Sequence, residues 1–304
     1  MALELKEIIE KINLLKKEKK AIILAHNYQP VEVHSVADMV GDSFQLSKAA
    51  SEVKADIILF CGVKFMAETA KLLSPDCKVL LSAGDAGCPM ADMANADDLK
   101  KYKEKNPDYL IVCYVNSSIE VKALSDVCVT SSNAVRIVNK LPLNKPIMFV
   151  PDQNLGQYVQ SKTNRKIDVW DGFCPIHHVF INTTDIKKAR EIYPDHVVIV
   201  HPECKPEVVE IADFVGSTKE LADFTENNDK VVIGTEIGLI NMLQIKYPHK
   251  SIKPLSEKAI CVNMKKTSLN TVLETLQDEL NQIFIPEDIA QNALIPIQKM
   301  LELN

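Results

Sequence analysis

Ala21-Ile22-Ile23-Leu24-Ala25 runs without a break into His26-Asn27-Tyr28. An unbroken apolar run that stops at polar side chains reads as a strand buried on both faces, with its carboxyl end at a polar site. Leu110–Tyr114 repeats the pattern, running into Tyr114-Val115-Asn116, and Val197–Val200 repeats it again before His201-Pro202-Glu203. From 26 to 114 and from 114 to 201 the steps are 88 and 87 residues. A second set of markers, Ser43, Ser131 and Thr218, steps by 88 and 87. A third, Cys88, Cys174 and Cys261, steps by 86 and 87. One period shared by three markers is long enough for a whole small domain, not for a solenoid repeat.

Working outward, further strands are predicted at Asp56–Phe60, Val79–Leu81, Val127–Val129, Pro146–Val150, Asp213–Val215 and Lys230–Ile233. Helical patterns separate most of them, as at Lys64–Leu73, Glu207–Ala212 and Gly238–Lys246. Strands alternating with helices predict an α/β protein of parallel sheets. The expected division is a helix over 1–20, three homologous α/β domains over 21–105, 106–190 and 191–280, and a helical tail over 281–304. In the first helix Leu5, Ile8, Ile9, Ile12 and Leu15 recur at helical spacing, an amphipathic pattern unlike a secretion signal. The basic run Lys16–Lys20 reads as its solvated end.

Composition narrows the function. No run approaches the roughly 20 apolar residues of a membrane span, so no membrane partner is expected, and the expected address is the cytoplasm. A formal net charge of −6 argues against nucleic acid as a partner. Eight cysteines in such a chain are not expected to form disulfides. Cys61, Cys113 and Cys128 lie in apolar runs and read as small core hydrophobes. Cys88 and Cys174 follow glycine-bearing loops, and Cys261 sits at what reads as a strand end, Ile260-Cys261-Val262.

Ligands in parallel sheets bind beyond the carboxyl ends of the strands. If the three domains pack with those ends inward about a pseudo-threefold axis, the three cysteines converge with the polar markers. Three thiolates leave a metal centre one open position. On zinc that resembles a catalytic site, and on a 4Fe–4S cluster it leaves one iron without a protein ligand. Spacing alone does not choose between them. Gly41-Asp42-Ser43, Ser131-Ser132-Asn133 and Gly216-Ser217-Thr218 each read as a strand end opening a helix, where N–H groups attract phosphate or carboxylate. Plain capping explains one such site but fits three at a common period less well. His26 and His201 are candidate proton carriers or anion donors. Glu203, two residues beyond His201, shares its face in extended chain. Tyr28 and Tyr114 read equally as core aromatics, and the His177-His178 pair as structural, with His177 within reach of a cluster near Cys174.

The strings AHNYQ (25–29), GDSFQLS (41–47), GVKFMAETAK (62–71), YVNSS (114–118), TSSNA (130–134), PDQNLG (151–156), GFCPIH (172–177), HPEC (201–204), GST (216–218) and GTEIGL (234–239) together resemble the quinolinate synthase family, in its order and over nearly the whole chain. The resemblance implies three α/β/α sandwich domains with short parallel sheets around a pseudo-threefold axis. It implies a 4Fe–4S cluster held by Cys88, Cys174 and Cys261. The implied reaction condenses iminoaspartate with dihydroxyacetone phosphate to quinolinate, a step of NAD biosynthesis. It further implies substrate binding by His26, Ser43, Tyr114, Val115, Asn116, Ser131, His201, Pro202, Glu203 and Thr218, and catalytic roles for Tyr28, Glu203 and His201. A functional link to an L-aspartate oxidase or dehydrogenase follows, because something must make the imine. The rival classes are a zinc hydrolase or lyase, an electron-transfer protein, which would want a fourth cysteine, and a non-catalytic anion binder.

Overall fold

The computed structural model describes residues 2–304, with side chains from Leu5 onward. Among the described residues, three parallel sheets of four strands each account for all twelve strands. The first contains β1 (Ala21–His26), β2 (Met39–Gly41), β3 (Ile57–Cys61) and β4 (Lys78–Leu81); the second, β5 (Leu110–Tyr114), β6 (Val127–Val129), β7 (Ile147–Val150) and β8 (Ile167–Val169); the third, β9 (Val197–Val200), β10 (Phe214–Val215), β11 (Lys230–Gly234) and β12 (Ser251–Pro254). Their orders are β2-β1-β3-β4, β6-β5-β7-β8 and β10-β9-β11-β12. The internal repeat is therefore a repeat of topology, and the fold is α/β with three like sheets flanked by helices.

The repeat extends to register. His26 pairs with Gly41, Tyr114 with Val129 and Val200 with Val215, an offset of 15 residues in every sheet. An aspartate fixes each offset. Asp38, Asp126 and Asp213 each accept a backbone N–H through a carboxylate oxygen, from Ile23 at 2.8 Å, Ile111 at 2.7 Å and Val198 at 2.8 Å. Each also donates its own N–H to the carbonyl of that same residue. Both groups of one strand residue are thus engaged just where the neighbouring strand has yet to begin.

The chain divides into two compact units. One is the chain up to Cys88 with Cys261–Leu294; the other is Pro89–Ile260 with Ile295–Asn304. In the first, Ile23, Ala25, Ile57 and Leu59 pack with Ile12 of helix Ala2–Glu18 and with Leu269, Val272 and Leu276 of helix Leu269–Asp278. Burial of such side chains contributes about 1.5–3 kcal/mol each. Ile8, Ile9 and Leu15 flank this core, as the amphipathic pattern requires, while Leu5 is exposed. The basic run is not simply solvated. Lys16 Nζ donates to Val36 O at 2.9 Å and meets Asp38 at 2.8 Å, and Lys19 bonds Gln277 O and Glu279. The second unit holds the other two sheets and a further core around Ile186, Val198, Val200 and Val232.

All nine expected strands form. Three edge strands, β2, β8 and β12, are additional. The strand end expected at Ile260-Cys261-Val262 does not exist. β12 closes at Pro254, Ile260 and Val262 are exposed, and Cys261 lies in a loop before the 3₁₀ turn Met264–Lys266. An apolar pair with no face to bury against holds no ladder place.

Candidate active site

In the first unit, His26 ends β1 and is buried. Its Nδ1 accepts the N–H of Tyr28 at 3.1 Å, and the two rings meet edge to face at 4.6 Å. His201 repeats this just after β9, its Nδ1 accepting the N–H of Glu203 at 3.3 Å. A neutral imidazole whose Nδ1 accepts must carry its proton on Nε2. Both histidines therefore present an Nε2–H donor at a strand end. Burial, together with the charge of His177, outweighs the Glu203 carboxylate and brings His201 down to about 3, so it stays neutral near pH 7.

Ser43 and Thr218 open helices Ser43–Glu52 and Thr218–Glu226. Neither is the cap. Asp42 and Ser217 cap those helices, in capping boxes closed by Gln45 and Glu220. Capping therefore does not account for the hydroxyls of Ser43 and Thr218. At the equivalent place in the second sheet, Thr130 N donates to Asn133 Oδ1 at 2.7 Å ahead of helix Ala134–Lys140, with Ser131 between them. Ser131, Pro202 and Gly216-Ser217 line one cavity of about 390 Å³.

The densest cluster lies in the second unit. Tyr114, at the end of β5, donates its hydroxyl to Glu203 Oε1 at 2.6 Å. The other oxygen, Oε2, meets His177 Nδ1 at 2.7 Å. That nitrogen also lies 3.2 Å from Cys174 Sγ, and His177 Nε2 is 2.9 Å from Thr235 Oγ1. His177 stacks on His201 at 4.7 Å. Asn154 Nδ2 holds the Glu203 carbonyl at 2.9 Å. Tyr114, His177, His201, Glu203 and Thr235 are all buried. Burial alone would raise the Glu203 carboxyl. His177 and His201 beside it, with hydrogen bonds from His177 and Tyr114, outweigh that and hold it at about 2. Asp152 is opposite in behaviour: burial, then the Glu203 charge, pushes it up, although its Oδ1 accepts the N–H groups of Asn154 and Leu155. Val115 is buried at the β5–β6 corner, its N–H bonded to Val129 O at 2.9 Å. Asn116 Oδ1 is buried with no hydrogen-bond partner, an acceptor of the kind a ligand satisfies.

The eight cysteines fall into two groups. Cys61, Cys77, Cys113, Cys128 and Cys204 are buried, whereas Cys88, Cys174 and Cys261 are half-buried. Burial pushes the Cys61 thiol up to about 12 and raises Cys128 and Cys204 strongly, as for inert core thiols. Cys174 starts helix Pro175–Phe180, and its sulfur, one His177 nitrogen and one Glu203 oxygen lie within 4.8 Å of one another, a candidate metal-binding group.

Sequence reasoning passes over Thr235 and Asn154; it reads His177 as structural, or as standing near Cys174, and the structure sets it between Cys174 and Glu203. Asn154 and Thr235 stand inside the strings PDQNLG and GTEIGL, and their position after β7 and β11 was the available signal.

Residues 10–302 match the family model described as Quinolinate synthetase A protein. A quinolinate synthase of Alkaliphilus metalliredigens is 50% identical over 299 residues, covering 97% of this chain and 98% of its own. One of Caldicellulosiruptor bescii is 51% identical over 292 residues, covering 95% and 96%. One of the more distant Methanoregula boonei is 46% identical over 296 residues, covering 97% of both. With the strand-end residues, the half-buried cysteines and these matches in agreement, the chain belongs to the quinolinate synthase family.

Proposed function

We propose that this chain condenses iminoaspartate with dihydroxyacetone phosphate to give quinolinate, phosphate and two waters, in NAD biosynthesis. The observation that carries the reading is the buried Glu203 carboxylate, clamped by Tyr114 and His177 with Cys174 at the same imidazole nitrogen. We assign Cys88, Cys174 and Cys261 to hold a 4Fe–4S cluster. The fit rests on the donor set: these three soft ligands are the cysteines that burial does not close off. When bound, a cluster with one iron lacking a protein ligand supplies a Lewis acid for loss of hydroxide.

The protein's own residues do the rest. His201, neutral near pH 7, offers its Nε2–H to substrate anions, and His26 stands at the equivalent strand end for the same task. Ser43, Ser131 and Thr218 add hydroxyls at strand ends opening helices, and Val115, Asn116 and Pro202 line the approach. Glu203 and Tyr28 move protons, with His201 beside Glu203. Tyr114 and His177 fix the orientation of the Glu203 carboxylate. Iminoaspartate is an unstable imine, so an L-aspartate oxidase or dehydrogenase must supply it. The setting is the cytoplasm, in keeping with a structure in which no described helix is long and apolar enough to cross a membrane.

The direct test is anaerobic assay of quinolinate formation from the two substrates. Glu203→Gln should lose most of the rate and keep its iron; near-normal turnover would remove the proton-moving role. A second reading is favoured by one observation, the Cys174–His177–Glu203 grouping, whose mixed S, N and O donors suit zinc. Anaerobically purified protein that is brown, with absorbance at about 400 nm, excludes zinc; a colourless, zinc-loaded, active protein excludes the cluster.

A further inference from the structure

The 3₁₀ turn Met264–Lys266 follows Cys261 in the first unit, and four side-chain contacts leave it or the next residue for two other loops. Gln29, fully buried, donates Nε2 to Met264 O at 2.9 Å. Lys265 Nζ donates to Tyr28 O. Both fasten the turn to the His26–Gln29 corner. Lys266 Nζ donates to Asp85 O and to Asp85 Oδ2, each at 2.8 Å, and Thr267 Oγ1 meets Ser82 Oγ at 2.7 Å. Those fasten it to the loop that leads into Cys88. The turn is itself held to Cys261, because Lys265 N donates to Cys261 O at 3.2 Å. From the infolded amide of Gln29 to the rim pair Lys266–Asp85, one short segment thus joins three loops that carry Cys261, Cys88 and Tyr28.

We propose that Gln29 and Lys266 are positioning residues, which set the Cys261 and Cys88 loops against each other and hold Tyr28 in place beside them. The assignment rests on the reading that these cysteines hold the cluster. The contacts divide the work. The Gln29–Met264 bond is shielded from water, so its loss leaves the Met264 carbonyl without that donor. The Lys266–Asp85 pair is more open, and an exposed ion pair adds little to global stability. Its effect is therefore local, on how far the Cys88 loop can swing. Partners hydrogen-bonded to metal ligands change metal affinity about 10- to 100-fold when removed, and these loop ties act one step further out, so the lower end of that range applies.

The test uses full-length protein purified anaerobically, for wild type, Gln29→Leu, Lys266→Met and Lys266→Arg. Iron per chain, the visible spectrum, thermal midpoint and the rate of iron release to a ferrous chelator are measured on each. The expected result is iron release about 10-fold faster in Gln29→Leu and Lys266→Met, with Lys266→Arg returned toward wild type. Lys266→Met should keep the wild-type midpoint, which separates positioning from folding. Iron release at the wild-type rate in both Gln29→Leu and Lys266→Met overturns the assignment, as does faster release matched by an equal loss of midpoint in each. Wild-type protein that carries no iron and no visible absorbance overturns the cluster reading itself, and the assignment with it.

Discussion

Tyr114 Oη and Glu203 Oε1 are 2.6 Å apart, joining the end of one sheet's first strand to the corner after another's. Both residues are buried, so the hydroxyl has no water to take its place. Tyr114→Phe strips a hydrogen bond from a buried charge, a loss of about 1.5–3 kcal/mol. We expect a lower urea midpoint and a turnover reduced by about 10-fold or more, with iron content unchanged. An unaltered midpoint and rate would mean that His177 alone holds the carboxylate.

The repeated aspartates give a stability prediction with an internal control. Asp126→Ala leaves the Ile111 N–H without its acceptor, costing about 1–3 kcal/mol. Asp126→Asn keeps an oxygen in place and should recover most of that. Urea unfolding of the two variants checks it; equal losses would show that charge, not the hydrogen bond, matters there.

Cysteine substitutions should separate by burial. Cys128→Ala removes a core sulfur paired in register with Cys113, so it should lower the melting point and leave iron content alone. Cys88→Ser should do the reverse, keeping the fold and losing the iron. Iron analysis and a melting curve on each decide it.

Glu279 gives a pH signature. Hydrogen bonds from Lys19, then from Lys78, hold its carboxyl at about 2, below the ordinary 4.5. A depressed acid stabilises the fold above its unfolded value and loses that contribution as pH falls through its folded one. Glu279→Gln should melt below wild type by about 1–3 °C near pH 7, since the group is partly solvated. The difference should shrink below pH 4.5, be mostly lost by about pH 2 and vanish below it. A constant difference across that range would assign the effect to something other than charge.

What could be read from the sequence follows burial. The inner strands β1, β3, β5, β7, β9 and β11 are covered on both faces, so their apolar runs are unbroken. The unread strands lie at edges and are short or polar: Met39-Val40-Gly41, Ile167-Asp168-Val169 and Ser251-Ile252-Lys253-Pro254. Their pairing comes from a neighbour, which no local pattern encodes. The same holds at the site. His26, Tyr114 and His201 announce themselves by ending apolar runs. Thr235 meets an imidazole 58 residues away, and nothing local marks that partner. The Asp38, Asp126 and Asp213 series shared the period of the other markers and was legible in principle, since each precedes a short apolar pair.

The first unit is built from two segments of chain, with the whole of Pro89–Ile260 made in between. A ribosome releases the N-terminal sheet first, yet helix Leu269–Asp278, which closes its core, emerges after residue 260. The first of the three sheets to be made is thus completed late, and its β-branched strands must wait. Cys88 waits with them, since Cys261 belongs to the same late segment. If Cys88 and Cys261 share the proposed cluster, it can enter only once both have been made, and a nascent chain stalled before residue 261 should take up no iron.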